Sequence, residues 1–135
     1  MDKRLFTVQE ANELIPFLTE ELSHLHRLMQ QLHQLDEIIG VPDEQDITLN
    51  GGTLVHPRRF EILTQVRDGV TDISQKGCVI KDLDQGLVDF PTLWEGREVY
   101  LCWRLGEDEV TFWHELEEGF GGRQEIAANR GGREA

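Results

Sequence analysis

The stretch Arg97–Leu116 reads REVYLCWRLGEDEVTFWHEL. Apolar and polar side chains alternate on both sides of a Gly-Glu-Asp centre, which is the period-two pattern of two strands around a turn. A two-residue turn at Gly106-Glu107 sets Leu105 opposite Asp108. That register pairs Trp103 with Val110, Leu101 with Phe112 and Val99 with His114 on one face. The other face then carries Tyr100 with Trp113, Cys102 with Thr111 and Arg104 with Glu109. Aromatic residues fall on both faces. One face is therefore expected against a helical layer, and the other under the tail of the chain or a partner.

Upstream, Cys78–Ile80 and Gly86–Phe90 read as two further short strands. Before them the period changes to that of a helix. Thr7-Val8-Gln9-Glu10 has the form of a capping box, with Phe6 placed as a staple. Apolar residues then recur at Val8, Ala11, Ile15, Leu18, Leu22, Leu25, Met29 and Leu32, and Leu14, Leu28 and Leu35 widen the stripe. Pro16 removes a backbone donor, so a kink or a restart is expected there. Gly40 and Pro42 end the segment. Residues 40–56, GVPDEQDITLNGGTLVH, read as an acidic, glycine-rich loop. Pro57 suits the first turn of a second helix, which continues through Phe60, Leu63, Val66, Val70 and Ile73 to a stop at Lys76-Gly77. The fold class is α+β: a long antiparallel helical hairpin plus a small, mainly antiparallel β-sheet. A single domain is expected over 1–126, with the helical hairpin at 7–76, the β-rich part at 77–126, and a disordered tail at 127–135.

About thirty helical residues at ~1.5 Å rise run to roughly 45 Å, longer than a compact domain of this size is wide. Two helices with wide leucine stripes cannot bury them alone. Either the sheet packs along them or two hairpins pair into a four-helix bundle, and the size argument favours a homodimer through the helices.

The chain of 135 residues carries 13 basic and 26 acidic residues, a formal net charge of -13. This opposes binding to a phosphate backbone or an anionic membrane, both of which need a concentrated basic surface. Nucleic acid and membrane are therefore not expected as partners. The two cysteines, Cys78 and Cys102, form no CxxC pair. No stretch reads as a signal peptide or a membrane span, so a reduced, cytoplasmic protein is expected.

Chemistry-bearing residues are few. KDLDQGLVDFP, Lys81–Pro91, holds three aspartates. A calcium loop starting at Asp82 needs glycine at its sixth position and glutamate at its twelfth, which here are Leu87 and Leu93. Asp82, Asp84 and Asp89 could instead join His114 to hold a divalent cation, the one cofactor the sequence suggests. The competing reading makes the aspartates turn formers beside Gly86 and Pro91, or ion-pair partners of an arginine. His114 beside Glu115 is the candidate acid–base pair. Arg97 and Arg123 are the candidates for holding an anion. Cys102, in mid-strand between aromatics, reads as inert filler.

Four stretches resemble a bacterial family catalogued as domain of unknown function number 2203: Lys81–Pro91, GREVYLCW at Gly96–Trp103, Trp113-His114, and GFGGR at Gly119–Arg123. The helix start FTVQEAN, Phe6–Asn12, is similar too. Gly121 and Glu125 depart from the family pattern, which has an alanine and a proline there. The resemblance supports the fold and implies no activity. The functional expectation is a non-catalytic, self-associating interaction or scaffold protein. The alternative is a small divalent-metal-dependent or acid–base enzyme built on the Asp/His cluster.

Overall fold

The structure, a computed structural model, describes residues 4–40, 56–118 and 120–126. Residues 41–55 of the expected 40–56 loop and the expected disorder at 127–135 lie outside these residues. The order is α1 (Val8–Glu13), α2 (Ile15–Ile39), α3 (Pro57–Ser74), β1 (Val79–Asp82), β2 (Leu87–Trp94), β3 (Arg97–Arg104), β4 (Phe112–His114), a short 3-10 turn and β5 (Gln124–Glu125). The five strands form one antiparallel sheet in sequence order, which with the helices makes an α+β fold. No helix among the described residues is long and apolar enough to cross a membrane.

The helix start forms as the sequence dictates. Thr7 Oγ1 accepts from the Glu10 amide and Glu10 Oε1 accepts from the Thr7 amide, both at 2.9 Å. Phe6 is fully buried, and its ring meets Phe90 edge-on with 5.2 Å between centroids. The Phe6 amide donates to the Pro91 carbonyl at 2.7 Å, and its carbonyl accepts from Thr92 Oγ1 at 2.7 Å. The N-terminus is thus stitched to β2. Pro16 produces a restart: α1 stops at Glu13, and Pro16 occupies the first turn of α2, where its missing N–H costs nothing.

The two longer helices touch along antiparallel positions. Arg59 Nε donates to Asp36 Oδ1 at 2.8 Å near the end of α2, while Gly69 lies against Leu25 near its middle. A Cβ at Gly69 would come within 2.6 Å of Leu25 Cδ2, so the missing side chain sets how closely the backbones approach.

The apolar stripe departs from expectation in two places. On α2 it runs through Leu18, Leu22, Leu25 and Leu28, with Leu28 rather than Met29 as the last fully buried residue. Both positions suit a 3.6-residue period, and the neighbouring elements select between them. On α3 the buried face is Ile62, Gly69 and Ile73, whereas Phe60 and Leu63 stand out in solvent. The sheet shares one core with these helices through Val88, Phe90, Trp94, Val99, Leu101, Trp103 and Trp113. Much of the leucine stripe is therefore buried within one chain.

The hairpin register also differs, by one residue. Leu101 lies opposite Trp113, Cys102 opposite Phe112 and Tyr100 opposite His114. β3 ends at Arg104, where the Glu107 amide donates to the Arg104 carbonyl at 2.9 Å and closes a four-residue turn. Gly106 takes its third position with φ 106°, a left-handed value that glycine reaches without steric cost. The chain then leaves the ladder. The Val110 amide donates to Asn12 Oδ1 of α1 at 2.7 Å, and β4 resumes only at Phe112. This anchor to α1 lengthens the connection by one residue relative to the tight turn. Because side chains alternate, the slip moves every β4 residue to the opposite face.

Candidate functional site

Strand pairing places Asp89 of β2 opposite Cys102 of β3, and Tyr100, two residues from Cys102, opposite His114 of β4. Asp89, Cys102 and His114 consequently share the sheet face that points away from the apolar core. Each is only 1% exposed. One ligand atom from each lies within 4.8 Å of the others.

The hydrogen bonds of His114 define the site. Its Nδ1 lies 2.8 Å from the Glu115 carbonyl, which only accepts, so Nδ1 carries a proton. Its Nε2 then faces Asp89 Oδ1 at 3.0 Å. That contact needs a proton of its own, held by either the carboxyl or the imidazole. Burial raises the Asp89 carboxyl above its ordinary range, and the bond to His114 and the imidazole's charge pull it down less strongly. Asp89 Oδ2 is buried without a hydrogen-bond partner. The Cys102 thiol is pushed up to about 11, first by burial and then by the Asp89 charge, with Arg123 opposing.

Side chains cover this face. The Arg123 guanidinium lies 4.0 Å from the centre of the Phe112 ring and donates to the Cys102 carbonyl at 3.3 Å. It also holds Glu107 with two bonds, at 2.9 and 2.7 Å. Lys81 Nζ lies 5.1 Å above the Tyr100 ring, whose centroid is 5.5 Å from that of His114.

The other residues singled out from the sequence sit elsewhere. Asp82 closes the β1–β2 turn, its Oδ1 accepting from the Gln85 amide at 3.1 Å and its Oδ2 from the Gln85 side chain at 3.2 Å. Asp84 is exposed on the same turn. With His26, Arg27, Met29, Gln30, His33 and Gln34 it borders an open groove of about 580 Å³ along α2. Glu115 points outward and pairs with Arg97 through both carboxylate oxygens. Of the four residues grouped as metal ligands, the structure joins Asp89 to His114 and leaves Asp82 and Asp84 on the turn. Arg97 and Arg123 each hold a carboxylate of this chain.

Cys102, which reads in the sequence as inert filler, is the third member of the cluster. With the tight turn at Gly106-Glu107, His114 falls opposite Val99 and on the other face from Cys102. The one-residue lengthening brings the two together.

As placed, His114 offers Cys102 no free ring nitrogen. A cysteine nucleophile needs an adjacent base with a free nitrogen, whereas both His114 nitrogens are engaged, by Glu115 and Asp89. At 1% exposure none of the three side chains meets a substrate from solvent. A carboxyl, a thiol and an imidazole at this spacing are the kind of side chains that could hold a metal ion.

The family model described as an uncharacterized conserved protein (DUF2203) matches residues 4–126, and the chain belongs to that family. No curated protein and no solved structure matches the chain.

Proposed function

We propose that this DUF2203 protein is a non-catalytic interaction protein of the cytosol that pairs with a second copy of itself through a long helical hairpin formed by α2 and α3. The observation that carries this reading is the state of the helix pair beyond Leu28. From there to its end α2 has no fully buried residue. Ile38 is 81% and Phe60 63% exposed, and Ile39 and Leu63 are exposed beside them. Large apolar side chains clustered at one end of a helix pair favour association. The end is also held in shape: Arg58 donates to Gln31 at 2.8 Å and Arg59 pairs with Asp36. A surface of fixed shape loses little conformational entropy on docking. Two such ends laid together would form a four-helix bundle.

The free, buried thiols of Cys78 and Cys102 suit a reducing compartment. The net charge of -13 disfavours nucleic acid and anionic membranes as partners. The test is the mass of the protein in solution by light scattering coupled to gel filtration. A dimer is expected for the native chain, and a monomer with an unchanged melt for Ile38→Glu/Phe60→Glu. A native chain that stays monomeric at high micromolar concentration overturns the reading. Leu25 is unsuitable for this test, because it is fully buried within the chain.

A further inference from the structure

We infer that Asp89, Cys102 and His114 form a closed binding site for one divalent transition-metal ion of the zinc type. The inference rests on site geometry and is independent of self-association.

The donors come from three adjacent strands of one sheet. Their positions follow from the backbone ladder rather than from a loop. A zinc ion at about 2.0 Å from a nitrogen and an oxygen ligand sets those two atoms roughly 3.3 Å apart in a tetrahedron. Nε2 of His114 and Oδ1 of Asp89 are 3.0 Å apart, a few tenths of an ångström from that edge. The outer nitrogen of His114 already donates to a backbone carbonyl. A bond of this kind fixes the tautomer of a metal-bound histidine and leaves Nε2 to face the ion.

A second observation points to a ligand. Asp89 Oδ2 is buried at this cluster and has no hydrogen-bond partner. A buried carboxylate oxygen left unpaired costs free energy, and a cation beside the carboxylate removes that cost. Charge also balances. Thiolate and carboxylate supply two negative charges against the two positive charges of the ion. The cations facing the cluster, Lys81 and Arg123, have other contacts, on the Tyr100 ring and with Glu107. Cys78 belongs elsewhere: its Sγ donates to the Ile73 carbonyl at 3.4 Å.

The probe is cobalt(II) titrated into reduced full-length protein, followed by competition with zinc(II). One equivalent of cobalt should give a thiolate-to-cobalt charge-transfer band that zinc abolishes. Cys78→Ser should keep the band and Cys102→Ser should lose it. The native chain decides the matter even if a variant fails to fold. Absence of any band and of any zinc uptake by native protein overturns the site. A band that survives Cys102→Ser also overturns it, as does metal uptake lost in His26→Ala/His33→Ala, which would move the ion to the groove along α2.

Discussion

Phe90 and Asp89 are neighbours on β2, and both are shut away from water, at 0% and 1% exposure. They point to opposite faces of the sheet. The Phe90 face carries Val88, Val99, Leu101, Trp103 and Trp113, and joins the helices in one core. The Asp89 face carries Cys102 and His114 at its centre, overlain by side chains such as Arg123. The difference shows why burial alone does not mark a core. Apolar side chains gain by leaving water in almost any orientation that fills space. Buried polar groups must each find a partner, so their positions carry chemical information. The unpaired Oδ2 of Asp89 is a place on the second face where that requirement is unmet.

The largest effect is expected on the apolar face. Trp103→Ala should cost about 4 kcal/mol in denaturant unfolding, from the cavity and the lost transfer free energy. It also removes the bond from Nε1 to the Glu107 carbonyl. A loss under about 1 kcal/mol would mean that the helical layer does not rest on this face.

On the polar face the single and double changes should disagree. In metal-free protein, His114→Leu strands the Asp89 carboxyl and should cost about 3 kcal/mol. Adding Asp89→Val to that variant should recover most of the loss, because no buried polar group is then left unpaired. Equal costs for the single and the double variant would show that packing, rather than pairing, sets the energetics of this face.

A smaller effect belongs to the cover. Burial pushes the Glu107 carboxyl up, but the bonds from Arg123 and the Arg104 amide and the positive charges outweigh it and hold it below its ordinary range. A depressed carboxylate contributes stability that is present above its unfolded pKa and lost as pH falls through the folded value. Glu107→Gln should therefore cost about 1 kcal/mol or less at neutral pH, given solvent screening. It should also flatten the acid limb of a melting-temperature profile below pH 4.5, the ordinary carboxylate value. An unchanged acid limb would remove Arg123 and Glu107 from the account of that face.

The smallest effect is expected at the rim of the apolar face, where Arg97 lies 6.0 Å from the centre of the Trp113 ring. Arg97 and Glu115 pair in the open, with side chains 54% and 33% exposed. Glu115→Gln should leave the unfolding midpoint within experimental error, as exposed pairs usually do.

Local interactions explain which parts were readable in the residue order. The capping box at Thr7 and Glu10, the restart at Pro16 and the stop at Gly40 each depend on groups a few residues apart. So does the turn at Asp82, whose carboxylate binds Gln85. Alternation along Arg97–Arg104 identified a strand, and the helical period identified α2 and α3. The α+β class follows from these periods.

Contacts between distant residues decided the rest. Asn12 holds the Val110 amide across 98 positions of chain, and that bond accompanies a hairpin one residue longer than its turn residues suggest. Alternation alone cannot detect a slip of one, since either register keeps the pattern and only exchanges faces. The exchange carried His114 from the side of Val99 to the side of Cys102, and so assembled Asp89, Cys102 and His114. Helical period likewise could not separate Leu28 from Met29, or Ile62 from Phe60 and Leu63. Those choices depend on where the sheet and the neighbouring helix lie. Sequence thus determined the elements, because their causes are local. Tertiary packing decided their faces and register, and with them the buried cluster of Asp89, Cys102 and His114.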